Sequence, residues 1–229
     1  MIINDCVLDE RRYTGATPPP ASFEDVSRSK IASVAHTAIT WVRLPSGLWV
    51  RSFNGATSLV SRVVANWCDY CYSGTIIAWV KPTNLDGTMS VFASCDTASG
   101  NYYLNCSIQL TTGRLGINQR DNDVPDAIES TESLTAGVWS MVGYVSTGTA
   151  YGLYLNGVAL TVNVTSGGDN GDWLSDTSNR DNWTYGVLRR NNDANWFLGQ
   201  MAPRNIYNYQ LTADQIYAKY QNERGWFAR

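Results

Sequence analysis

The sequence is poor in histidine and lysine. His36 is the only histidine, and lysine occurs three times among 229 residues. A single histidine excludes a catalytic metal site built from several imidazoles, and it restricts Ser-His-Asp or Cys-His catalysis to arrangements that include His36. The net charge is −3 and the cationic residues are scattered. The chain therefore lacks the basic stripe of a nucleic-acid-binding protein.

Long apolar runs are also missing. No segment approaches the roughly 20 apolar residues that a membrane-spanning helix needs. The residues after Met1 have neither the basic start nor the apolar run of a secretory signal. We therefore predict a soluble protein with no membrane span that does not use the general secretion route.

Cysteine is too sparse for a disulfide scaffold, since the chain has five. Cys68 and Cys71 form a C-x-x-C, and Cys95 and Cys106 flank a predicted turn. The simplest interpretation is that these are small buried side chains. A Cys95–Cys106 disulfide and a zinc site of all four thiolates are the alternatives.

Aromatic residues and glycine, in contrast, are plentiful: the chain has nine Trp, thirteen Tyr and nineteen Gly. Short alternating segments follow one another from Ala38 onward every 8–12 residues or so, separated by turn residues. The segment "YGLYLNGVAL" places Asn156-Gly157 between two alternating runs, which predicts a two-residue hairpin turn. We expect an all-β fold, an antiparallel jelly-roll sandwich of two sheets.

One helix is predicted, near the C-terminus. Thr212 is placed to cap it and Gln215 to complete a capping box, while Ile216, Tyr217 and Tyr220 recur at helical spacing. Two long polar loops are also predicted, over 119–135 and 165–183. Long loops on a rigid sheet are where function tends to lie.

The chain divides into an N-terminal arm and one domain. Residues 1–22 are polar and contain three consecutive prolines, which favour an extended segment. We predict an extended arm over 1–22, either a disordered tail or an anchor on a neighbouring subunit or surface. Residues 23–229 form the predicted sandwich domain.

The order of motifs resembles a known family. "FNGATSLV", "TIIAWVKP", "GRLGI", "LTAGVWSMVGYV", "YLNGVAL" and "FLGQMAPRNIYNYQLTADQIYAKY" are similar to the laminin-G-like domains of the concanavalin A-like lectin/glucanase superfamily. The resemblance runs from about Phe23 to Tyr220 and implies the fold but no particular activity. On that fold, we expect Trp79 and Trp139 to fill the space between the sheets.

The chain lacks the acid pair of the glucanases in this superfamily. Those enzymes carry E-x-D-x-x-E on one strand, and none of the five glutamates here begins that pattern. Glu129 and Glu132 are predicted to be solvated loop charges. We therefore expect no enzymatic activity and no catalytic residues.

Relatives of this kind often bind sugars or proteins at loop rims, in many cases with calcium. The predicted calcium ligands are Asp169, Asn170 and Asp172, because Ca²⁺ prefers carboxylate and amide oxygens. The alternative is that Gly, Asn and Asp simply form turns there. Asn192 and Asp193 in "RRNNDANW" are a second oxygen-rich set and are predicted to bind ligand.

Trp173 and Trp183 flank the Asp-rich loop. An exposed tryptophan offers a flat face to a sugar ring, whereas a buried one closes the core. We predict Trp173 and Trp183 as ligand-binding residues, with the buried role as the alternative.

These observations predict a non-enzymatic recognition or structural domain. We expect an exterior protein of a phage or virus particle, located on the virion or an extracellular surface, with host glycans or other virion proteins as partners and possible homo-oligomers. The alternative is a free carbohydrate-binding lectin or cell-surface adhesin; a glycoside hydrolase is the third interpretation.

Overall fold

A computed structural model of the chain describes residues 6–19, 25–27, 35–63, 65, 67–122 and 124–227. Within these residues lie strands β1 to β17, one α-helix and two 3₁₀ turns. The bounds of the elements are, in chain order, β1 Cys6–Asp9, β2 Ala35–Thr37, β3 Thr40–Arg43, β4 Trp49–Asn54, β5 Leu59–Val63, β6 Gly74–Pro82, β7 Met89–Cys95, β8 Tyr102–Ile108, β9 Arg114–Asp121, β10 Val124–Ser133, β11 Ser140–Ser146, β12 Tyr151–Leu155, β13 Val158–Ala159, β14 Val162–Ser166, a 3₁₀ turn Leu174–Asp176, β15 Asn182–Tyr185, β16 Leu198–Met201, β17 Asn205–Tyr207, α1 Ala213–Glu223 and a 3₁₀ turn Arg224–Trp226.

The described strands form two antiparallel sheets. The first has the order β13-β12-β11-β6-β16-β4-β3, and β17 joins it by pairing with both β6 and β1. The second has the order β14-β10-β9-β8-β7-β15-β5-β2. This arrangement confirms the predicted two-sheet, jelly-roll sandwich with a single short helix near the C-terminus.

The main core lies between the two sheets. It is made of inward-facing residues of both, such as Ile76 and Val142 from the first sheet and Leu104 and Ile117 from the second. A fully buried side chain of this kind contributes roughly 1.5–3 kcal/mol to folding. Sheet pairing and this core hold the loops at both ends of the sandwich.

The tryptophans between the sheets are not the expected ones. Trp173 and Trp183 belong to the main core, whereas Trp79 packs in a second apolar cluster with residues of α1. Trp79 stacks on Phe227 at 4.2 Å between ring centroids and donates a 2.9 Å hydrogen bond to Glu223 Oε2. Trp139 lies beside the same cluster, just before β11. The prediction for Trp79 and Trp139 is wrong because an apolar strand buried on both faces does not reveal which face meets the other sheet.

Local turn and cap signals are confirmed. Asn156 and Gly157 have φ values of 53° and 83° and connect β12 to β13. Thr212 Oγ1 accepts a hydrogen bond from Gln215 N at 3.2 Å, and Gln215 Oε1 accepts one from Thr212 N at 2.8 Å. Side chains and backbone that satisfy each other locally are the features that sequence predicts best.

The predicted long loop over 119–135 is wrong. Most of it is a hairpin of β9 and β10, with Ile128 opposite Ile117. Glu129 and Glu132 lie on β10, not in a loop. The sequence of β10, VPDAIESTES, has one proline and few β-branched residues, so its propensity for a strand is low and the pairing with β9 and β14 decides its structure.

The N-terminal segment is part of the domain where the structure describes it. β1 pairs with β17, and Leu8 and Glu10 are buried. Farther along, Gly15 O accepts a 2.9 Å hydrogen bond from Trp49 Nε1. The separation of an arm over 1–22 from the core is therefore wrong for residues 6–10, because the unpaired side of β17 offers them a ladder. Residues 1–5 and 20–22 of the predicted arm lie outside the described residues.

The cysteines follow a pairing that differs from the expected alternatives. Cys68 and Cys71 form a disulfide with each other. Cys95 and Cys106 are free and buried. Their strands are adjacent, but Cys95 lies opposite Tyr103 and Cys106 opposite Phe92, so register keeps the two sulfurs apart. The structure thus supports neither a Cys95–Cys106 disulfide nor the four-thiolate zinc site.

None of the helices in the described part of the chain is both long and apolar enough to cross a membrane.

Candidate functional site

The candidate site is a cleft of about 550 Å³ on the outer face of the second sheet. Strands β5 and β15 contribute Ser61, Val63 and Asn182, the β7–β8 loop contributes Thr97, and the loop after β15 contributes residues 189–193. We call this the arginine cleft. Its volume lies within the roughly 300–1,000 Å³ of small-molecule sites.

The strands position the floor of the arginine cleft by simple alternation. Trp183 and Tyr185 point into the core, so Asn182, their neighbour on β15, points outward. Asn182 pairs with Val63 of β5 on one side and with Cys95 of β7 on the other. Polar side chains therefore stand on a rigid, fully paired part of the sheet.

The loop over 189–193 is closed at its base by two backbone hydrogen bonds. Leu188 N donates to Ala194 O at 2.9 Å, and Ala194 N donates to Leu188 O at 3.0 Å. Asn182 Nδ2 also donates to Arg189 O at 3.2 Å, which joins the loop to the floor. The loop is therefore a short, anchored turn above the sheet.

Arg190 is half-buried and held on an aromatic surface. Its guanidinium carbon lies 5.2 Å from the ring centroid of Tyr103, and Nη1 donates a 3.2 Å hydrogen bond to Gly100 O. Nε of Arg190 is buried without a hydrogen-bond partner. Stacking on an aromatic face fixes a guanidinium at low entropic cost while leaving donors available.

Arg189 and Asp193 complete the charges of the arginine cleft. Arg189 Nη1 makes a long 3.4 Å hydrogen bond to Ser61 Oγ. Among the described residues, neither Arg189 nor Arg190 forms an ion pair with a carboxylate. Asp193 is exposed and is the single carboxylate among the lining residues that the structure describes. The formal charge of the lining is therefore positive.

Asn182 supplies an acceptor with no protein donor. Its Nδ2 donates to Asp181 Oδ1 and Arg189 O, but its Oδ1 is buried without a hydrogen-bond partner. The residue is 2% exposed. An unsatisfied buried carbonyl costs roughly 1–3 kcal/mol, which a ligand donor would recover.

The predicted calcium ligands lie on a different rim, between β14 and β15. Asp169 Oδ1 accepts a 2.5 Å hydrogen bond from Tyr151 N, and Asn170 Nδ2 donates to Asp126 Oδ2 at 2.9 Å. Burial, a hydrogen bond with Asp126 and the charge of Asp176 together raise the pKa of Asp172 to about 6. These side chains thus hold the loop together, as in the turn-forming alternative.

The structure describes the surroundings of the three predicted calcium ligands. Calcium requires six to eight oxygens around one point. No group of three or more His, Cys, Asp or Glu in the described residues is arranged to hold a metal ion. In the structure Asp169 accepts from Tyr151 N and Asn170 donates to Asp126, and the calcium site at Asp169, Asn170 and Asp172 stays a prediction from the sequence.

Trp173 and Trp183 are not surface residues. Both are 0% exposed, which makes the ligand-binding prediction for Trp173 and Trp183 wrong and favours their role as core residues. Trp183 contacts Trp67, with ring centroids 5.9 Å apart. Gly74 leaves room for Trp173, because a Cβ on Gly74 would lie 2.4 Å from Trp173 Nε1.

Of the predicted ligand-binding residues, Asn192 and Asp193 do line the arginine cleft, and both are exposed. Sequence reasoning missed Arg189 and Arg190, although "RRNNDANW" contains them. Two adjacent arginines in a chain so poor in lysine were an available signal. Ser61 and Thr97 had none, because only the folded sheet brings them to residues 189–193.

The family assignment follows from sequence and architecture together. The sequence model of the concanavalin A-like lectin/glucanases superfamily matches residues 53–217, and the two-sheet sandwich is the corresponding fold. The chain belongs to this superfamily. No curated protein matches it in sequence.

Solved structures with the same fold include sugar-binding domains. The carbohydrate-binding module CBM40 of the Ruminococcus gnavus IT-sialidase, bound to α2,3-sialyllactose, is 21% identical with a TM-score of 0.57, covering 65% of this chain and 82% of that one. Domain 4 of the arabinanase AbnA from Geobacillus stearothermophilus, in complex with arabinotriose, is 16% identical with a TM-score of 0.58, covering 81% and 86%. The leech intramolecular trans-sialidase is 18% identical with a TM-score of 0.60, covering 95% of this chain and 28% of that one. At these identities the likeness shows the fold.

Proposed function

We propose that this chain is a non-enzymatic, lectin-like domain that binds a glycan in the arginine cleft. The carrying observation is that a cleft of about 550 Å³ gathers hydroxyl, amide and guanidinium groups on a rigid strand floor. Sugars present many hydroxyls, each a donor and an acceptor, and such a lining matches them. Asn182 Oδ1 in particular has no protein donor.

The structural relatives support a sugar ligand. The Ruminococcus gnavus module is bound to sialyllactose and the AbnA domain to arabinotriose. These two ligands belong to those proteins, and they show that the sandwich serves as a scaffold for sugar recognition. For this chain, the proposal of a sugar ligand is supported by the lining of its own cleft.

A binding role without hydrolysis agrees with the charges present. Glycoside hydrolysis generally uses two carboxyl groups that flank the scissile bond. Asp193 is the only acid among the described lining residues of the arginine cleft. A bound glycan would therefore be held there but not cleaved.

The setting of this function stays a prediction from the sequence. That prediction places the domain on the exterior of a phage or virus particle or on an extracellular surface. It includes homo-oligomers and attachment to other virion proteins through the N-terminal arm. The alternative remains a free lectin or adhesin. Because β1 and Glu10 belong to the domain, attachment by residues 6–10 is not supported.

The test is a glycan array with the full chain, repeated with calcium and with EDTA, followed by titration of the glycans that bind. The variant Asn191→Ala/Asn192→Ala truncates two exposed amides of the cleft. We expect about tenfold weaker binding, since each lost hydrogen bond contributes roughly 0.5–1.5 kcal/mol. Asn163→Ala is the matched control, because Asn163 is exposed on β14 at the opposite end of the same sheet.

Retained binding in Asn163→Ala with loss in the cleft variant supports the proposal. No glycan binding by the unaltered chain, or equal binding by both variants, contradicts it. The EDTA arm tests calcium separately: affinity that falls with EDTA and returns with calcium would support the metal prediction for Asp169, Asn170 and Asp172.

A further inference from the structure

We infer that the arginine cleft selects anionic sugars, with a carboxylate or sulfate group of the ligand held by Arg189 and Arg190. This inference rests on the proposed function and names its ligand class. The fold does not decide it, since one similar structure holds the acidic sialyllactose and another the neutral arabinotriose. The charges of this chain's own residues indicate the ligand class.

The first observation is two adjacent guanidiniums without carboxylates. Elsewhere, buried arginines of the described chain do pair with acids, as Arg51 does with Glu10 at 3.0 Å and Arg180 with Asp69 at 3.3 Å. Arg189 and Arg190 have only neutral oxygens, those of Ser61 and Gly100, as hydrogen-bond acceptors. An anion in the cleft would supply the negative charge that the protein does not pair with these two arginines.

The second observation is that the arginines have hydrogen-bond donors without acceptors. Arginine offers donors only, and Arg190 Nε is buried without an acceptor. The planar fork of a guanidinium matches the two oxygens of a carboxylate or sulfate, and such charge-assisted bonds are about twice as strong as neutral ones. A neutral hydroxyl offers a single acceptor oxygen, which does not match the planar fork, and leaves the charge uncompensated.

The third observation places the rest of the sugar. Asn182 is 2% exposed, and its Oδ1 is an acceptor without a partner. The residue lies on the floor of the cleft, beneath the loop over 189–193. A ligand that fits must therefore present an anionic group toward residues 189–190 and a hydroxyl or amide N–H toward Asn182. A sugar acid carries both on one ring, whereas an inorganic anion carries only the first.

Asp193 allows the effect of charge on ligand binding to be tested separately. It is exposed, forms no hydrogen bond or ion pair in the structure, and lines the same cleft. Its carboxylate opposes an anionic ligand and has no effect of that kind on a neutral one. Removing this charge separates electrostatic recognition from shape.

The experiment uses ligand pairs that differ in the anionic group. Sialyllactose is compared with lactose, trigalacturonic acid with its methyl ester, and lactose 3′-sulfate with lactose, each titrated by calorimetry against the full chain. We expect the anionic member of at least one pair to bind about 10- to 100-fold more tightly. The uronic and sialic acid arms identify carboxylate recognition, and the lactose sulfate arm identifies sulfate.

Variants then assign the preference to residues. Arg189→Gln and Arg190→Lys are expected to weaken binding of the anionic member more than binding of the neutral one, so that most of the preference is lost; the lysine keeps the charge but loses the planar fork. Asp193→Asn is expected to tighten anionic binding only. Arg43→Gln is the control, since Arg43 is an exposed arginine on β3 of the other sheet.

The outcomes separate the two proposals. Neutral and anionic members bound equally, with no effect of Arg189→Gln or Asp193→Asn, overturn the anionic inference and leave glycan binding intact. No binding of any array glycan overturns the proposed function itself. Circular dichroism and thermal melting of each variant accompany the titrations, and Asp193→Asn keeps the inference testable if an arginine variant does not fold, because Asp193 is exposed and makes no bond in the structure.

Discussion

Asp172 shows how one carboxyl group responds to its neighbours. Burial is the largest cause that raises its pKa to about 6, and the hydrogen bond with Asp126 and the charge of Asp176 act in the same direction. In the unfolded chain the group titrates near 3.8. The folded state therefore holds a proton between about pH 4 and pH 6 that the unfolded state has released.

This difference predicts a pH dependence of stability. The unfolding free energy should fall as pH rises from about 4 to 6, because the folded state binds more protons in that window and must release one. Asp172→Asn should remove this slope and raise stability at pH 7. Urea denaturation at pH 4, 5, 6 and 7 measures it, with exposed Asp86→Asn as the control. A difference between wild type and Asp172→Asn that does not vary with pH contradicts the prediction.

At the same scale, Trp173 and Trp183 show what residue identity does not disclose. A tryptophan beside a polar loop is equally compatible with a sugar platform and with a core residue. What decides here is context from far along the chain: Trp67 and Tyr185 flank Trp183, and Gly74 makes space for Trp173. No local pattern in the sequence contains that information.

Among the elements, β1 leads into a buried acid, Glu10, which directly follows its last residue. Glu10 at its end places Oε2 3.0 Å from Arg51 Nη1 and 3.5 Å from Arg204 Nε, and all three side chains are buried. Arg204 also lies on the ring of Tyr185, 3.4 Å from its centroid. Two buried arginines thus contact one acid that the N-terminal segment supplies.

Removing that acid should be costly. Glu10→Gln removes the buried negative charge that faces two buried guanidiniums, and we expect a loss of about 3–5 kcal/mol in the free energy of unfolding. Urea denaturation at pH 7 gives this value. Glu129→Gln is the matched control, because Glu129 pairs with Arg114 at 3.6 Å and both are partly exposed; its expected cost is about 1 kcal/mol or less. Equal losses in the two variants would show that Glu10 does not carry this role.

Prediction of elements from sequence succeeded where the signal was local. The Asn156-Gly157 turn and the Thr212 cap depend on residues within a few positions of each other. It failed for β10, where the partner strands decide, and for β1, whose pairing with β17 joins the two ends of the chain. Long-range pairing leaves little trace in the composition of one segment.

For the whole molecule, the two free thiols that the structure describes report on the integrity of the sandwich. Cys95 and Cys106 are 0% exposed, and burial raises the pKa of both thiols. Since the thiolate is the reactive form, neither should react with N-ethylmaleimide while the protein is folded. Peptide mapping by mass spectrometry should show labelling that follows global unfolding in urea. Rapid labelling of either cysteine without denaturant would contradict the tight core.

The same scale explains why only two of the nine described lining residues of the arginine cleft were proposed from the sequence. Asn192 and Asp193 were found because they are neighbours in an oxygen-rich loop. Ser61, Thr97 and Asn182 come from three separate stretches, and the order β7-β15-β5 alone unites them. The family resemblance predicted the two-sheet sandwich, but neither this strand order nor which face of which strand would line a cleft.

The closed base of the loop over 189–193 has a practical consequence. Leu188 and Ala194 bond to each other through backbone atoms only, and residues 191–193 are exposed. The tip of the loop, residues 191–193, is thus separated from the interior of the sandwich. Randomised libraries at 191–193 should retain the parental melting behaviour while diversifying the sugars captured, which makes the sandwich a starting point for tailored glycan reagents.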